Sequence, residues 1–185
     1  MKIAVYNEKG GCGKTTLAVH LALTLPATLV DLDEQRTATL WLGQRNPPIR
    51  TVDSIDAAPP GDLVIDFAPG KDLTRANLLA RVDLVLIPVR PTFNDLSTVG
   101  NAVRIIQAQG KPAAFVVTML NPRTNEARDV GQALGGYGLP IAGSMSNRVS
   151  YARAGMVGGT ASDLGDAIAR SELDLLLRRL RHGQT

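Results

Sequence analysis

The residues with the clearest chemical potential stand at positions 9–16, Lys-Gly-Gly-Cys-Gly-Lys-Thr-Thr. Closely spaced glycines let a loop turn its backbone N–H groups inward around an anion. The Gly-Lys-Thr at 13–15 adds an ammonium group and a hydroxyl, which suit a phosphate and Mg²⁺ respectively. The usual phosphate-binding loop has a further glycine where this sequence has Glu8, and a second lysine, Lys9, stands ahead of the glycines. The segment therefore predicts a nucleotide-binding loop of a variant type.

Acidic residues end two other apolar runs. Asp31 and Asp33 close one run, and Asp66 ends another. Burying a lone carboxylate is costly, so Asp66 is expected to have a hydrated Mg²⁺ as its partner, with the Thr15 hydroxyl as a further ligand. Asp31 and Asp33 have the same parity on a strand, so one is expected to hold the metal and its waters and the other to orient an attacking water. The alternative is that these acids are solvated loop or turn residues.

These side chains need a scaffold that gathers strand ends, and the hydrophobic pattern predicts one. Strands are expected at 2–7, 27–33, 49–55, 62–70, 82–89, 113–120 and 140–143. Helices are expected at 14–25, 36–42, 72–80, 94–109, 123–134, 150–157 and 162–181. Strands that alternate with helices pair in parallel, because parallel neighbours need a crossover. The predicted fold is a doubly wound α/β domain with a mainly parallel sheet flanked by helices, which binds ligands at the carboxyl ends of its strands.

Composition limits the class of protein. A length of 185 residues with 44% hydrophobic residues fits a single domain over 1–185. The only cysteine, Cys12, excludes a disulfide within the chain and an all-cysteine metal site. We interpret Cys12 as a small filler of the loop, with a redox-sensing thiol as the alternative. No run of about 18 apolar residues is present, so no transmembrane helix is expected.

The distribution of charge distinguishes the two halves of the chain. Residues 1–93 hold 10 Lys and Arg against 10 Asp and Glu, whereas residues 94–185 hold 10 against 7, so the net charge of +3 comes from the second half. This bias is typical either of a solvated, mildly basic surface or of a surface that contacts nucleic-acid phosphates. The candidates for phosphate contact are Arg148, Arg153, Arg170, Arg178, Arg179 and Arg181.

Taken together, the motifs resemble the ParA/MinD family of ATPases. The segment at 9–16 is similar to their deviant Walker A loop, Leu-Val-Asp-Leu-Asp-Glu-Gln at 29–35 to their second acidic motif, and Leu-Val-Ile-Asp-Phe-Ala-Pro-Gly at 63–70 to their Walker B segment. Residues 82–96 and 148–163 resemble later segments of ParA-type partition ATPases. The resemblance covers nearly the whole chain, and it points to the short, ParF-like members and to the P-loop NTPase fold.

The resemblance implies a Mg²⁺-dependent ATPase that hydrolyses ATP to ADP and phosphate. The implied nucleotide-binding residues are Lys9, Gly10, Gly11, Cys12, Gly13, Lys14, Thr15 and Thr16, and the implied metal ligands are Thr15, Asp31 and Asp66. The implied catalytic residues are Lys9, Lys14 and Asp33. Lys14 would hold the phosphates of its own subunit and Asp33 would position the attacking water. Lys9 would cross to the ATP of the partner subunit in a sandwich homodimer.

The resemblance also implies a biological role. Family members of this type bind DNA without sequence preference as ATP-bound dimers, and a ParB-like or cargo-bound protein stimulates hydrolysis. Arg148 matches the arginine position of the family. We therefore expect a cytoplasmic protein, associated with the nucleoid while ATP is bound, that moves a plasmid, a chromosome or a protein cluster. Because the first strand begins at residue 2, no separate N-terminal DNA-reading domain is expected.

Some features depart from the family or favour other interpretations. Glu34 replaces the usual Pro, and Arg36 stands where Gly is common. A MinD-like, membrane-associated ATPase is the main alternative, because the last predicted helix has leucines on one face and arginines beside them. Packing of that helix on the sheet explains the leucines equally well, and membrane association is not expected. A nucleotide-dependent regulator without significant hydrolysis is a further alternative, and so is a small-molecule ligase. Neither His20 nor His182 is expected to be catalytic.

Overall fold

The computed structural model describes residues 1–70 and 77–181, and within them seven strands form one sheet. The strands are β1 (Lys2–Val5), β2 (Thr28–Asp31), β3 (Thr51–Val52), β4 (Leu63–Asp66), β5 (Leu84–Val89), β6 (Ala113–Leu120) and β7 (Ile141–Ser146). Their order is β3-β2-β4-β1-β5-β6-β7, and every neighbouring pair is parallel. The predicted doubly wound, parallel α/β fold is confirmed.

Helices connect the strands and cover the sheet. They are α1 (Lys14–Thr24), α2 (Thr37–Gly43), α3 (Phe93–Leu96), α4 (Val99–Ala108), α5 (Glu126–Gly135), α6 (Val149–Arg153) and α7 (Ala167–Arg181). Short 3₁₀ segments occupy Asn77–Arg81, Ala154–Val157 and Ala161–Leu164. Of the helix predicted at 72–80, residues 72–76 lie outside the described residues and the remainder belongs to the first 3₁₀ segment.

Three predicted helices are divided. The helix expected at 150–157 becomes α6 followed by the 3₁₀ segment Ala154–Val157. The helix expected at 94–109 is divided into α3 and α4 near Thr98, whose hydroxyl donates to the carbonyl of Asn94 at 2.9 Å. The helix expected at 162–181 becomes a 3₁₀ segment followed by α7. Gly165, with φ of 79°, separates the two, and that left-handed conformation suits glycine.

The core lies on both faces of the sheet. On one face α1 and α7 contribute Leu17, Leu21 and Leu176 to a buried cluster. On the other face α4 and α5 contribute, among others, Ile106 and Val130. All six residues of β5 are buried, as expected for a parallel strand covered on both sides.

The leucine face of α7 belongs to this core. Leu173, Leu176, Leu177 and Leu180 are between 1% and 7% exposed. A Cβ added to Gly143 of β7 would lie 3.2 Å from Leu176 Cβ, so the helix packs closely on the strand there. The prediction that this helix packs on the sheet is confirmed. No helix among the described residues has the length and apolar character needed to cross a membrane.

Candidate nucleotide-binding site

The sheet register brings the predicted site residues to one edge. Asp66, at the end of β4, pairs with Val5 of β1 on one side and with Asp31 of β2 on the other. The glycine-rich loop follows β1, so it emerges beside both carboxylates. Parallel strands end at the same edge of their sheet, which is why residues far apart in sequence meet here.

The loop is shaped by glycines with left-handed backbones. Gly11 has φ of 70° and Gly13 has φ of 88°. Gly13 is also confined in space, since an added Cβ would lie 3.3 Å from Thr118 Cγ2. Gly13 is the N-cap residue of α1 and provides no capping side chain, so the first N–H groups of the helix remain free to bind an anion.

The remaining loop residues surround this helix start. Gly10 and Gly11 are exposed at the tip, whereas Cys12 is buried. The Cys12 thiol donates to the carbonyl of Lys9 at 3.3 Å, and burial raises the pKa of this thiol, which favours the inert filler over the redox thiol. Thr15 and Thr16 are half-buried in the first turn of α1.

The two lysines of the loop occupy different environments. Lys14 is 7% exposed, and its ammonium donates to the carbonyl of Lys9 at 2.7 Å, inside the loop. Lys9 is half-buried, and its ammonium makes no hydrogen bond or ion pair within residues 1–70 and 77–181. Lys14 is therefore placed to bind phosphate within its own chain. Lys9 has a free charge at the loop.

Asp66 is the buried group that most needs a partner. It is 1% exposed, and neither carboxylate oxygen accepts a hydrogen bond from residues 1–70 or 77–181. Burial raises the pKa of this carboxyl to about 7, and the negative charge of Asp31 also raises it. The neighbouring Thr15 hydroxyl lowers the pKa, although it does not reach hydrogen-bond geometry. A hydrated Mg²⁺ fits this orphaned carboxylate, with Thr15 as the hydroxyl ligand.

The other two acids have hydrogen-bonding roles of their own. Asp31 accepts hydrogen bonds from the backbone of Asp33 at 3.1 Å and from the backbone and hydroxyl of Thr39 at 2.9 and 2.8 Å. These contacts hold the acidic loop against α2, and the metal-binding role of Asp31 stays a prediction. One oxygen of Asp33 accepts from the backbone of Gln35 at 2.9 Å, and the other accepts no hydrogen bond from the described residues. The free oxygen is suited to orient a water.

A cavity beside the loop was not predicted from the sequence. It has a volume of about 140 Å³ and lies between the start of α1 and the ends of β6 and β7. Its lining residues are Gly13, Thr16, Thr118, Met119, Met145, Ser146, Asn147, Arg148, Tyr151 and Ala152. Methionine and tyrosine side chains with a few polar groups suit a flat nucleobase. Met119 has φ of 53° and lies at an irregularity in the pairing of β6 with β7, between Thr118 and Leu120.

A buried ion pair next to the loop was also missed. Arg90, at the end of β5, forms two hydrogen bonds with the carboxylate of Asp95, at 2.7 and 3.0 Å. The Asp95 side chain is 1% exposed; burial acts to raise its pKa, but the Arg90 guanidinium outweighs burial and leaves the pKa below its usual range. The only sequence signal for this ion pair was the short distance along the chain between Arg90 and Asp95. Thr92, which lies between them, is the N-cap residue of α3.

The six candidate arginines divide into two groups. Arg148 donates to Asp166 at 2.6 Å, and Arg179 donates to the carbonyls of β7 at 3.1 and 3.3 Å. Arg170 is exposed and lies 4.0 Å from Asp174. Arg153, Arg178 and Arg181 are exposed and make no hydrogen bond or ion pair with the described residues. The exposed group has charge available for a polyanion.

The buried histidine is structural, as expected. His20 accepts the backbone N–H of Ala161 at Nε2, 3.0 Å away, so its Nδ1 carries the proton and donates to the carbonyl of Thr16 at 2.8 Å. Its ring packs edge-on against Trp41 and Tyr151. Burial lowers the pKa of His20 to about 4, which keeps the ring neutral.

Comparison with known proteins agrees with this geometry. Residues 3–161 match the CobQ/CobB/MinD/ParA nucleotide binding domain, and the chain belongs to this family. Maintenance of carboxysome distribution protein A of Halothiobacillus neapolitanus is 29% identical over 197 residues, covering 93% of this chain and 91% of that protein. The protein of the same name from Gloeobacter kilaueensis is 32% identical over 75% of this chain and 72% of its own length. Protein ParA of Rhizobium radiobacter is 26% identical over 75% and 74% respectively.

Solved structures share the fold over nearly the whole chain. Apo McdA of Cyanothece superposes with a TM-score of 0.80 at 16% identity, covering 97% of this chain and 98% of that chain. A plasmid partition protein of Borrelia burgdorferi bound to AMPPNP gives 0.80 at 17% identity, with 98% of each chain covered. MinD in the MinC:MinD complex of Aquifex aeolicus gives 0.80 at 15% identity, covering 98% and 95%. The seven-stranded sheet is thus the ParA/MinD type of P-loop NTPase fold.

Proposed function

We propose that the chain is a Mg²⁺-dependent ParA-type ATPase that forms an ATP-dependent sandwich homodimer and binds DNA non-specifically in that state. Hydrolysis stimulated by a ParB-like or cargo-bound protein would then drive the positioning of a cargo. The observation that carries the proposal is the contrast between the loop lysines: Lys14 is buried within its own loop, whereas the Lys9 ammonium has no partner among the residues that the structure describes. In phosphoryl-transfer enzymes, a positively charged side chain supplied by a second subunit can stabilise the transition state, and it raises the rate of hydrolysis by a factor of roughly 10³–10⁵.

The residues present are suited to each part of this reaction. Lys14 and the N–H groups at the start of α1 would bind the phosphates, and Asp33 would hold the attacking water in line. Mg²⁺, when bound by Thr15 and Asp66, neutralises charge on the phosphates. The cavity at the ends of β6 and β7 would take the base.

The relatives support cargo positioning as the role. Two are named for carboxysome distribution, and others for chromosome partition or as ParA proteins. These names support a protein compartment or a chromosome as the cargo, and the plasmid partition protein of Borrelia burgdorferi supports a plasmid. The expected location is the cytoplasm, with the nucleoid as the surface for the ATP-bound dimer.

Sedimentation velocity combined with phosphate release tests the proposal. We expect a monomer without nucleotide or with ADP, a dimer with ATP and Mg²⁺, and slow release of phosphate that stops when EDTA removes Mg²⁺. A chain that stays monomeric with ATP, or that releases no phosphate, would contradict the proposal.

The membrane-associated alternative has less support in the structure. The leucines that would enter a lipid surface are packed on the sheet, with exposed fractions of 7% or less. Co-sedimentation with anionic liposomes separates the two functions. We expect no binding to the liposomes with or without ATP, whereas ATP-dependent binding would favour the alternative.

A further inference from the structure

The wall of the base cavity is held by a carboxylate from another element. Glu172 of α7 accepts the backbone N–H of Ser146 at 3.2 and 3.1 Å, one distance for each of its oxygens. It also accepts the Ser146 hydroxyl, and Tyr151 donates its hydroxyl to the same carboxylate at 2.7 Å. Both Ser146 and Tyr151 line the cavity, so one side chain fixes two parts of the wall.

A second carboxylate, that of Asp166, holds the segment between Ser146 and Tyr151. Asp166, just ahead of α7, accepts the Arg148 guanidinium and the Ser150 hydroxyl, each at 2.6 Å. Its other oxygen accepts the backbone N–H of Ala169 at 3.1 Å, so the same side chain caps α7. The Arg148 guanidinium holds the pKa of Asp166 well below its usual range, against the effect of burial, and the carboxylate is therefore ionised at neutral pH.

Apart from the packing of the buried Tyr151 ring against His20, the wall depends on these hydrogen bonds. After β7 ends at Ser146, the chain turns through Asn147, whose backbone N–H donates to the carbonyl of Leu120 at 2.8 Å, into the five-residue helix α6. A helix this short is marginal without tertiary contacts. The two carboxylates supply contacts at its start, through Arg148 and Ser150, and at Tyr151 in its middle.

We propose that Glu172 and Asp166 are positioning residues for the nucleobase, and that they couple occupation of the base cavity to the docking of α7. The inference rests on the proposed function, since it requires that the loop binds a nucleotide. Hydrogen bonds behind the residues that contact a ligand fix their orientation, and loss of such a bond typically weakens binding 10–100-fold at metal sites. Because coupling is reciprocal, a bound base stabilises the packing of α7, the helix that carries Arg178 and Arg181.

A ligand without a base distinguishes positioning from general stability. The affinities of ATP and of inorganic tripolyphosphate, each with Mg²⁺, are measured for the wild type and for Glu172→Gln. We expect Glu172→Gln to weaken ATP binding on the order of tenfold, and to leave tripolyphosphate binding within about twofold, because only ATP uses the wall. Tyr151→Phe, which removes the hydroxyl but keeps the ring, should show the same selective loss to a smaller degree.

A neighbouring acid provides the matched control. Asp174 lies on the same helix, its side chain is 52% exposed, and it forms an ion pair with Arg170 at 4.0 Å, so Asp174→Asn should change neither affinity. Equal weakening of both ligands by Glu172→Gln and Tyr151→Phe, or no change in either, would overturn the inference. If the wild type binds neither ATP nor tripolyphosphate, the proposed function itself fails; if the wild type binds both equally, only the role of the base fails.

Discussion

Among single residues, the two lysines of the phosphate loop illustrate how position decides role. They are five residues apart and have the same chemistry, yet Lys14 is buried and bonded within the loop and Lys9 has an unpaired charge. Both lysines were noticed in the sequence, because the loop motif is short and the spacing of its residues largely determines the conformation of the loop. The roles assigned to them are open to a direct comparison.

Lys14→Ala and Lys9→Ala should separate binding from assembly. Lys14→Ala removes the ammonium that would bind the phosphates of its own chain, so we expect binding of a fluorescent ATP analogue to be lost. Lys9→Ala should keep that binding within a few-fold and lose the ATP-dependent dimer and stimulated hydrolysis. Sedimentation with ATP provides the readout, and a Lys9→Ala variant that still dimerises would show that Lys9 does not act in trans.

Asp66→Asn should stabilise the nucleotide-free protein. The buried carboxylate has no hydrogen-bond partner among the described residues, and the rise of its pKa from 3.8 to about 7 corresponds to a cost of about 4 kcal/mol for the ionised form. The amide of Asn has no charge but is equally unsatisfied, which costs about 1–3 kcal/mol and offsets part of the gain. We therefore expect the free energy of unfolding in urea to rise by about 1–3 kcal/mol, while Mg²⁺-dependent hydrolysis is lost.

A second buried aspartate is the matched control for this substitution. Asp95 is as deeply buried as Asp66 but paired with Arg90, so Asp95→Asn should destabilise, because it leaves a guanidinium without its partner. If Asp66→Asn destabilises to the same degree as Asp95→Asn, the carboxylate of Asp66 has a partner that the structure does not reveal.

Among the secondary-structure elements, α1 links the phosphate loop to the C-terminal segments. Its His20 connects the carbonyl of Thr16 to the backbone N–H of Ala161, ahead of α7. The ring nitrogens have no spare capacity for a second proton in this arrangement, since Nε2 must remain an acceptor. The junction between these elements is therefore sensitive to acid.

The contribution of His20 to the stability of the fold should decrease when the pH is lowered. Burial lowers its pKa from 6.5 to about 4, against the opposing effects of the Thr16 carbonyl and of Asp163. Between these values the unfolded chain binds a proton that the folded chain does not, so the contribution of His20 to the free energy of unfolding decreases as pH falls from 6.5 to 4, by up to about 3 kcal/mol. Asp66, whose pKa is raised to about 7, contributes with the opposite sign in the same range, so the His20 contribution is obtained as the difference between two proteins. Urea unfolding at several pH values measures each slope. His20→Gln should remove the destabilisation by acid that is due to His20 and His182→Gln should not; equal slopes in all three proteins would contradict the assignment.

The elements also show where sequence reasoning succeeds and where it stops. The strands, α1 and the acids at strand ends were predictable, because hydrophobic runs and motif spacing are local signals. The division between α3 and α4 was missed because the apolar periodicity continues through it, and the local contacts of Thr98 are not visible in that pattern. The base cavity was missed because Met119, Met145 and Tyr151 come from separate elements, and only the sheet order brings them together.

For the whole molecule, the exposed arginines define the surface on which DNA binding is proposed. Arg178 and Arg181 lie on α7 and Arg153 ends α6, and all three are free of partners among the described residues. Arg148 and Arg179, by contrast, are engaged within the chain. The exposed arginines are expected to contact phosphates and the engaged ones to maintain the fold.

DNA retention should need ATP and weaken steeply with salt. Neutralising phosphates releases counterions, so the logarithm of affinity falls linearly with the logarithm of salt concentration. Arg178→Ala and Arg181→Ala should each lower the magnitude of this slope by about 1, measured by titrating salt with DNA of unrelated sequences. Arg50→Ala is the control, because Arg50 is exposed beside β3 at the opposite edge of the sheet. If DNA is retained equally with and without ATP, the proposed ATP dependence of DNA binding is wrong.

The contact between Arg179 and β7 has a consequence for self-assembly. β7 is an outer strand of the sheet, and strands in that position offer unpaired backbone groups to which another chain can add. The Arg179 guanidinium already occupies the carbonyls of Ile141 and Ala142, and the other outer strand, β3, is only two residues long. Sheet-to-sheet fibre growth is therefore disfavoured at both ends. A filament of this protein is therefore expected to form through side-chain surfaces rather than by the addition of strands to the sheet.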